Sequence, residues 1–377
     1  MSSLILNSLE IEGFRAFEHL TIERLGQVNL IVGKNNVGKS CLLEALQIYA
    51  HRGSPETIRN ILMSRDEGGR IDEQAIEVDA YVDAIKYLFY ERKVFVKYPG
   101  VDTFKIGPVG NASLQLAVKT QWFEEKTDSG SNRKTWEPND GQLPLFEDVN
   151  GFLPGVSITF GKESLISVLL PRFLDRRFPM RYPSLRRVEG IACIFIPANS
   201  LDGYILTELW DNVTLKPGEE DVLKGMHIIE PGVERINLVG RERRSSRVPM
   251  VKMRDIPEPI PLRSLGEGMT RLFGIVLALV NAQGGLLLID EVDSGLHYTV
   301  HPALWRLVFE IAAHLNVQVF ATTHSWDCIE GFQQAAQDAE SEDEMLIRLE
   351  RRQEHIVPIL FDTSRLGIAT RQEIEVR

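Results

Sequence analysis

The chain has 377 residues and a formal net charge of −11 at pH 7, with 44% hydrophobic and 25% charged residues. That length supports a large core and two or three lobes. The charge argues against a protein that coats nucleic acid over its whole surface, while leaving room for a local basic groove.

Cys41, Cys193 and Cys328 form no C-x-x-C pair, so neither a disulfide framework nor a zinc site is indicated. Met1 to Phe14 has no basic leader and enters a strand-like pattern, and the apolar stretch Leu272 to Ile289 is broken by Asn281 to Gly285. No signal peptide or membrane span is expected, and the expected location is cytoplasmic.

Leu4 to Glu12 alternates loosely as an edge or hairpin strand does, and a second strand is expected around His19 to Glu23. Between them lie Phe14 and Arg15, read either as a packed aromatic and a solvated arginine or, given the glycine-rich phosphate-loop pattern that begins at Gly33, with Arg15 as a candidate contact to ribose or phosphate. Gln27 to Val32 is an apolar run that reads as a buried strand. Cys41 to Tyr49 carries apolar residues at helical spacing. Gly33-Lys-Asn-Asn-Val-Gly-Lys-Ser40 lies between this strand and helix and matches the phosphate-loop pattern G-x-x-x-x-G-K-[ST] at every fixed position. Gly33 and Gly38 let the backbone approach phosphate oxygens. Asn36 lies in the same loop, and the amides after Gly38, Cys41 included, open a helix whose unpaired N–H groups attract anions. Lys39 is expected on the β- and γ-phosphates and Ser40 on Mg²⁺.

From His51 to Arg263 no nucleotide motif occurs. Glu77 to Val82, Lys93 to Tyr98 and Ala112 to Phe123 read as strands. Thr127 to Gly141, rich in Ser, Asn, Asp and Gly, reads as a mobile loop. Sixteen of the 18 prolines fall in this stretch, which excludes a long coiled coil. Pro217 to Ile229 reads as a helix with Glu219, Glu220 and Asp221 in its first turn. Two Arg clusters, Arg172 to Arg187 and Arg241 to Arg247, are candidates for contact with nucleic acid or an acidic partner, or are solvated faces.

The motifs return near the end. Ser264-Leu-Gly-Glu-Gly-Met-Thr-Arg271 is a small-residue turn leading into a helix over Leu272 to Asn281. Gly285 to Glu291 is an apolar strand ending in two carboxylates. Asp290 suits a Mg²⁺ site and Glu291 the polarisation of an attacking water. After Ser294-Gly-Leu-His297 and a helix over Pro302 to Ala313, the strand Val317 to Ser325 delivers His324 at its C-terminal edge. In a doubly wound sheet these strand ends line one crevice.

In order, Gly33–Ser40, Ser264–Arg271, Leu286–Glu291, Ser294–His297 and Thr322–Ser325 resemble the Walker A, signature, Walker B, D-loop and switch-histidine elements of ABC-type ATPases. Gly33-Lys-Asn-Asn-Val-Gly-Lys-Ser, Gly13-Phe-Arg-Ala-Phe, Ser264-Leu-Gly-Glu-Gly-Met and Gly295-Leu-His resemble most the OLD (overcoming lysogenization defect) family, within the soluble branch shared by recombination-repair and chromosome-maintenance ATPases. The resemblance covers roughly residues 1–50 and 260–330. It implies a head that dimerises head-to-tail over two ATPs, with Ser264, Gly266 and Gly268 meeting the γ-phosphate in trans, Glu291 activating water and His324 sensing the γ-phosphate.

The chain departs from that pattern in three places. The signature reads Ser-Leu-Gly-Glu-Gly, no Q-loop residue stands out among Gln115, Gln121 and Gln142, and only 53 residues follow His324, where OLD nucleases carry a Toprim domain. Those residues read as a helix, a solvated acidic stretch (Asp338 to Glu344) and two short strands, with no nuclease site.

The expected fold is α/β, an ABC-type P-loop NTPase core formed by residues 1–50 and 264–377 with an inserted, mainly antiparallel β lobe at 51–263. The expected function is an ATPase subunit, using ATP and Mg²⁺, that controls a separately encoded nuclease or toxin, as the resembled family does in phage defence. The alternative is a DNA-repair ATPase that binds DNA directly through its Arg clusters. A transporter is disfavoured by the missing membrane segment and weak Q-loop, and a GTPase by the lack of an N-K-x-D motif.

Overall fold

The computed structural model describes residues 4–67, 78–94, 102–127, 134–139, 152–174, 190–199, 201–240, 247–339, 343–363 and 365–367. An antiparallel hairpin opens the chain, β1 (Leu9–Phe14) and β2 (Phe17–Ile22), reversing through Arg15 at φ 49°. The fully buried β3 (Val28–Val32) leads through the phosphate-loop segment into α1 (Lys39–Ala50). Next comes α2 (Pro55–Ser64), with proline in its first turn, where no amide partner is needed.

Where a strand was expected over Glu77 to Val82, the chain forms α3 (Val78–Ile85). Tyr81, Ala84, Ile85 and Leu88 are buried at helical spacing, a period that short stretches of alternating sequence conceal. Of the strand expected over Lys93 to Tyr98, Lys93 and Val94 follow a 3-10 turn, and residues 95–98 lie outside the described residues.

β4 (Thr103–Gly107), β5 (Leu116–Thr127), β6 (Lys134–Pro138), β7 (Phe152–Phe160) and β8 (Glu163–Leu169) continue the sheet begun by the first hairpin. Its order is β2-β1-β4-β5-β7-β8, with β6 on β5, and every pairing is antiparallel. The stretch read as a loop over Thr127 to Gly141 therefore contains β6, fixed by pairing from Phe123 with Pro138 to Thr127 with Lys134. Polar composition conceals a strand whose hydrogen bonds, not its side chains, hold it in place.

The short α4 (Leu170–Leu174) ends this run, and β9 (Cys193–Ile196), α5 (Gly203–Val213) and α6 (Gly218–Met226) come next. A three-stranded antiparallel sheet comprises β10 (Val233–Val239), β11 (Val248–Met253) and β12 (Ile260–Pro261). The C-terminal part is α7 (Glu267–Asn281), β13 (Leu286–Ile289), α8 (His301–Leu315), β14 (Gln318–Thr322), α9 (Trp326–Asp338), β15 (Glu344–Arg352) and β16 (His355–Asp362).

The central sheet has the order β16-β15-β3-β14-β13-β9, parallel except for β16. Its inner strands are buried on both faces, as their continuous apolar runs require. Leu286 and Leu288 of β13 join the core that holds α1 and the antiparallel sheet, whereas Leu287 and Ile289 join the core of α7, α8 and α9. Helix α1 is thus packed between the two sheets.

Hydrogen bonding crosses the chain positions where the motifs place segment boundaries. β1 pairs with β4, and β9 pairs in register with β13, Ile196 opposite Ile289. The fold is mixed α/β with an antiparallel sheet beside a P-loop core, as expected from sequence.

Candidate nucleotide site

The parallel register sets β3, β14 and β13 level at their C-terminal ends, with Ile31 beside Thr322 and Ala321 beside Ile289. The segments C-terminal to those strands therefore share one crevice, the usual place for a ligand in such sheets. Gly33–Ser40, Asp290–Glu291 and Thr323–Ser325 are those segments.

The loop turns through Gly33 at φ 143°, Asn36 at 63° and Gly38 at 89°, so two of three left-handed positions carry glycine. A Cβ on Gly38 would lie 2.8 Å from Cζ of Phe17, so the first hairpin also presses on the loop. Lys39 Nζ donates to the carbonyls of Gly33 (2.7 Å) and Lys34 (3.2 Å), folding back over the loop. Burial lowers the Lys39 pKa, and Asp290 and Glu291 pull it the other way. The first turn of α1, Lys39 to Cys41, offers backbone N–H groups that no earlier turn of the helix can accept.

The carboxylate of Asp290 gathers the site. Ser40 Oγ donates to it at 2.9 Å, across 250 residues of sequence, and Thr322 Oγ1 donates at 2.6 Å. Serine hydroxyl and carboxylate oxygens side by side form a hard donor pair that suits Mg²⁺. The backbone of Glu291 is left-handed, φ 49°, an uncommon state for a residue with a side chain. Three bonds hold it there: its N–H donates to Thr322 Oγ1 at 2.8 Å, and its carbonyl accepts from Arg271 Nη2 and from the Ser294 N–H, both at 3.0 Å. The Glu291 side chain is thereby turned partly to solvent, with Oε1 at 3.9 Å from Nδ1 of the more exposed His324.

Thr322 and Arg271 were assigned no role from sequence. Arg271 is 4% exposed on α7 and also donates to the carbonyls of Asp290 and Pro197, both at 2.6 Å. Burial lowers its pKa, against the neighbouring charges of Asp290, Asp293 and Glu291. An arginine inside an apolar helix was the available signal. Thr322 gave none.

Helix α7 starts at Glu267, earlier than the expected Leu272, with Gly266 at φ 102° as its cap. A Cβ on Gly268 would lie 2.8 Å from the Gly295 carbonyl, so the signature turn packs on the segment after Asp293. Ser264 and Gly266 are exposed. Among the described residues, the side-chain bonds at the loop come from Lys39, Asp290 and Arg351, not from Ser264, Gly266 or Gly268.

Arg15 requires correction. Its side chain is 5% exposed and lies between Glu44 (2.6 Å) and Glu67 (2.9 Å), with Arg65 on the other Glu44 oxygen at 2.5 Å. A guanidinium so enclosed is part of the packing of α1, not a ribose or phosphate contact. Cys41 keeps its place in the first turn, but burial raises its thiol pKa.

The acidic stretch is also not one solvated loop: Asp338 pairs with Arg306 at 3.4 Å, and Glu344 is buried at the start of β15, while residues 340–342 lie outside the described residues. Most of the Arg172 to Arg187 cluster, and Arg241, Arg243 and Arg244, also lie outside them. Arg247 pairs with Asp211. No helix among the described residues is long and apolar enough to cross a membrane.

Residues 240–327 match the family model described as "AAA domain, putative AbiEii toxin, Type IV TA system", and residues 4–102 match "AAA ATPase domain". The chain is 23% identical to a Helicobacter pylori protein named ATP/GTP phosphatase over 374 residues, 94% of this chain and 95% of the relative. It is 33% identical over 132 residues to an uncharacterized Methanocaldococcus jannaschii protein, 34% of this chain and 56% of that one. Among solved structures, it resembles an Smc head domain with an extended coiled coil, bound to the C-terminal domain of ScpA derived from Pyrococcus furiosus. The TM-score is 0.50 at 10% identity, covering 98% of this chain and 99% of the other. That likeness speaks for the fold alone, and none of these matches singles out the OLD branch. With the loop and carboxylates converging as described, the chain is a P-loop ATPase of the ABC-type head fold, an ATP hydrolase.

Proposed function

We propose that this ATPase is the nucleotide-driven subunit of a two-component system, in which ATP-dependent head-to-tail dimerisation controls a separately encoded nuclease or toxin in the cytoplasm, as in phage defence by the OLD family it resembles. The observation that carries the nucleotide half is the Ser40–Asp290–Thr322–Glu291 chain of hydrogen bonds at the mouth of the phosphate loop. In this reading Gly33, Asn36, Gly38, Lys39 and Cys41 cradle the phosphates, and Ser40 and Asp290 hold Mg²⁺, which supplies charge neutralisation when bound. Glu291, aimed at solvent by its left-handed backbone, orients the attacking water, and His324 beside it senses the γ-phosphate.

The dimer half is supported by the exposed Ser264 and Gly266, which make no bond to the loop of their own chain. The two-component setting is supported by the family model over residues 240–327, whose description names a type IV toxin–antitoxin system. The test is co-purification of the tagged chain with the products of neighbouring genes, with and without ATP, using Glu291→Gln to hold the ATP state. A partner retained in one nucleotide state only is the expected result. The pure chain is expected to hydrolyse ATP and to leave DNA and RNA uncut with Mg²⁺ or Mn²⁺. Salt-sensitive binding of bare DNA with no protein partner would replace this reading by the DNA-repair one.

A further inference from the structure

The last two strands do more than extend the sheet. β15 runs parallel to β3 with Arg348 level with Val32, the last residue of β3. Beyond that level β3 gives way to the phosphate loop, whereas β15 continues to Arg352 and returns as β16, leaving the hairpin to flank the loop.

Its contacts reach the whole loop. The Leu349 carbonyl would lie 2.5 Å from a Cβ on Gly33, at the loop's start. Arg351 Nη2 donates to the Asn36 carbonyl, at its apex, at 3.2 Å. His355 Nδ1 lies 3.0 Å from Glu18, next to Phe17, whose ring covers Gly38 at the loop's end.

Alternation along β15 gives its arginines different tasks. Arg348 and Arg352 flank Glu350 on one face, at 3.8 and 3.6 Å. Arg351 lies on the other and meets the loop. The residue it holds is the one non-glycine of the loop in a left-handed conformation, Asn36. A bond to that carbonyl orients the peptide leading to Val37 and Gly38, whose amides precede α1. Ordering it before ligand arrives lowers the entropy lost on binding.

We infer that Arg351, carried by the C-terminal hairpin, is a positioning residue for the phosphate loop and sets nucleotide affinity without taking part in the chemistry. The inference rests on reading Gly33–Ser40 as the phosphate site.

Equilibrium binding of a fluorescent ATP analogue and of ADP, with steady-state ATP hydrolysis, tests it on the full chain carrying Arg351→Ala, Arg351→Lys or Arg352→Ala. The size of one solvent-exposed hydrogen bond from a charged donor sets the expected loss for Arg351→Ala at roughly two- to fivefold in affinity for both nucleotides, with KM raised by a similar factor and kcat held within about twofold. Arg351→Lys keeps a donor and is expected to recover most of the affinity. Arg352→Ala removes the same charge next door and is expected to bind as the wild type does. Unchanged affinity in Arg351→Ala, or an equal loss in Arg352→Ala, overturns the inference while leaving the phosphate site in place. A misfolded Arg351→Ala leaves the decision to Arg351→Lys against Arg352→Ala, where a larger loss in Arg352→Ala overturns it. A wild-type chain that binds neither nucleotide removes the phosphate-site reading and the inference with it.

Discussion

The hydroxyl of Thr322 donates to Asp290 Oδ1 at 2.6 Å while accepting the N–H of Glu291 at 2.8 Å. One side chain on β14 thereby fixes both carboxylate residues at the end of β13. Thr322→Val keeps the shape and removes both bonds, leaving a part-buried amide without its acceptor, a loss of about 1–3 kcal/mol. Turnover is expected to fall about tenfold, a barrier increase of about 1.4 kcal/mol, with ATP binding retained. A kcat equal to that of the wild type would show that Thr322 does not set the geometry of Glu291.

Lys39 and Glu291 are expected to fail in different ways. Lys39→Ala removes the charge proposed to meet the β- and γ-phosphates, so nucleotide binding itself should weaken. Glu291→Gln keeps size but removes the carboxylate proposed to orient water, so ATP should stay bound with turnover reduced at least a hundredfold, on the order of general-base effects. Binding and single-turnover assays on the two proteins separate these outcomes. Undiminished hydrolysis by Glu291→Gln would remove Glu291 from its role.

Ser264 is exposed just before the cap of α7. If it meets the nucleotide of a second chain, Ser264→Arg should leave ATP binding by the monomer intact and abolish the ATP-dependent dimer. Sizing by light scattering in the Glu291→Gln background reads this directly. A dimer indifferent to the arginine would refute the trans arrangement.

Arg15 stabilises α1 by pairing with Glu44, which remains buried if the guanidinium is removed. Arg15→Ala is expected to destabilise the fold by roughly 1–3 kcal/mol, the cost of leaving one oxygen of buried Glu44 without its donor while Arg65 still holds the other. The denaturant midpoint should drop while KM for ATP changes little. A raised KM with an unmoved midpoint would return Arg15 to the nucleotide.

The three thiols should be unreactive in the folded protein. Burial pushes Cys193 and Cys328 up to about 12 and raises Cys41, with Glu44 adding to the shift there. Unfolded thiols ionise near ~8.5. Their contribution to stability is therefore complete below about pH 8.5 and is lost as pH rises toward about 12. Iodoacetamide at about pH 8, just below the unfolded value, should label the native protein slowly and the denatured protein at all three cysteines. Rapid labelling of native Cys41 would mean that the first turn of α1 opens in solution.

Residue types in order were enough to mark the glycine-rich loop between β3 and α1, the Asp290–Glu291 strand end and the buried parallel strands. A phosphate loop needs fixed residue types at short spacing, and a strand buried on both faces must be apolar throughout. How those pieces are held became visible only in three dimensions. Ser40 and Asp290 meet because β3 and β13 lie on either side of β14 in one parallel register. Thr322 and Arg271 lie within recognisable motif segments, and Arg351 in none, but none of the three shows its task locally, because a hydroxyl or a guanidinium acquires it from the carboxylates and carbonyls the fold brings to it. Arg15 shows the same dependence in reverse. Its position before the loop suggested a ligand, and the packing of Glu44 and Glu67 against it supplied counter-charges from within the chain. β6 and α3 are hidden in the sequence for a related reason, since sheet pairing and helix packing are settled by distant partners that a short stretch of residues does not contain.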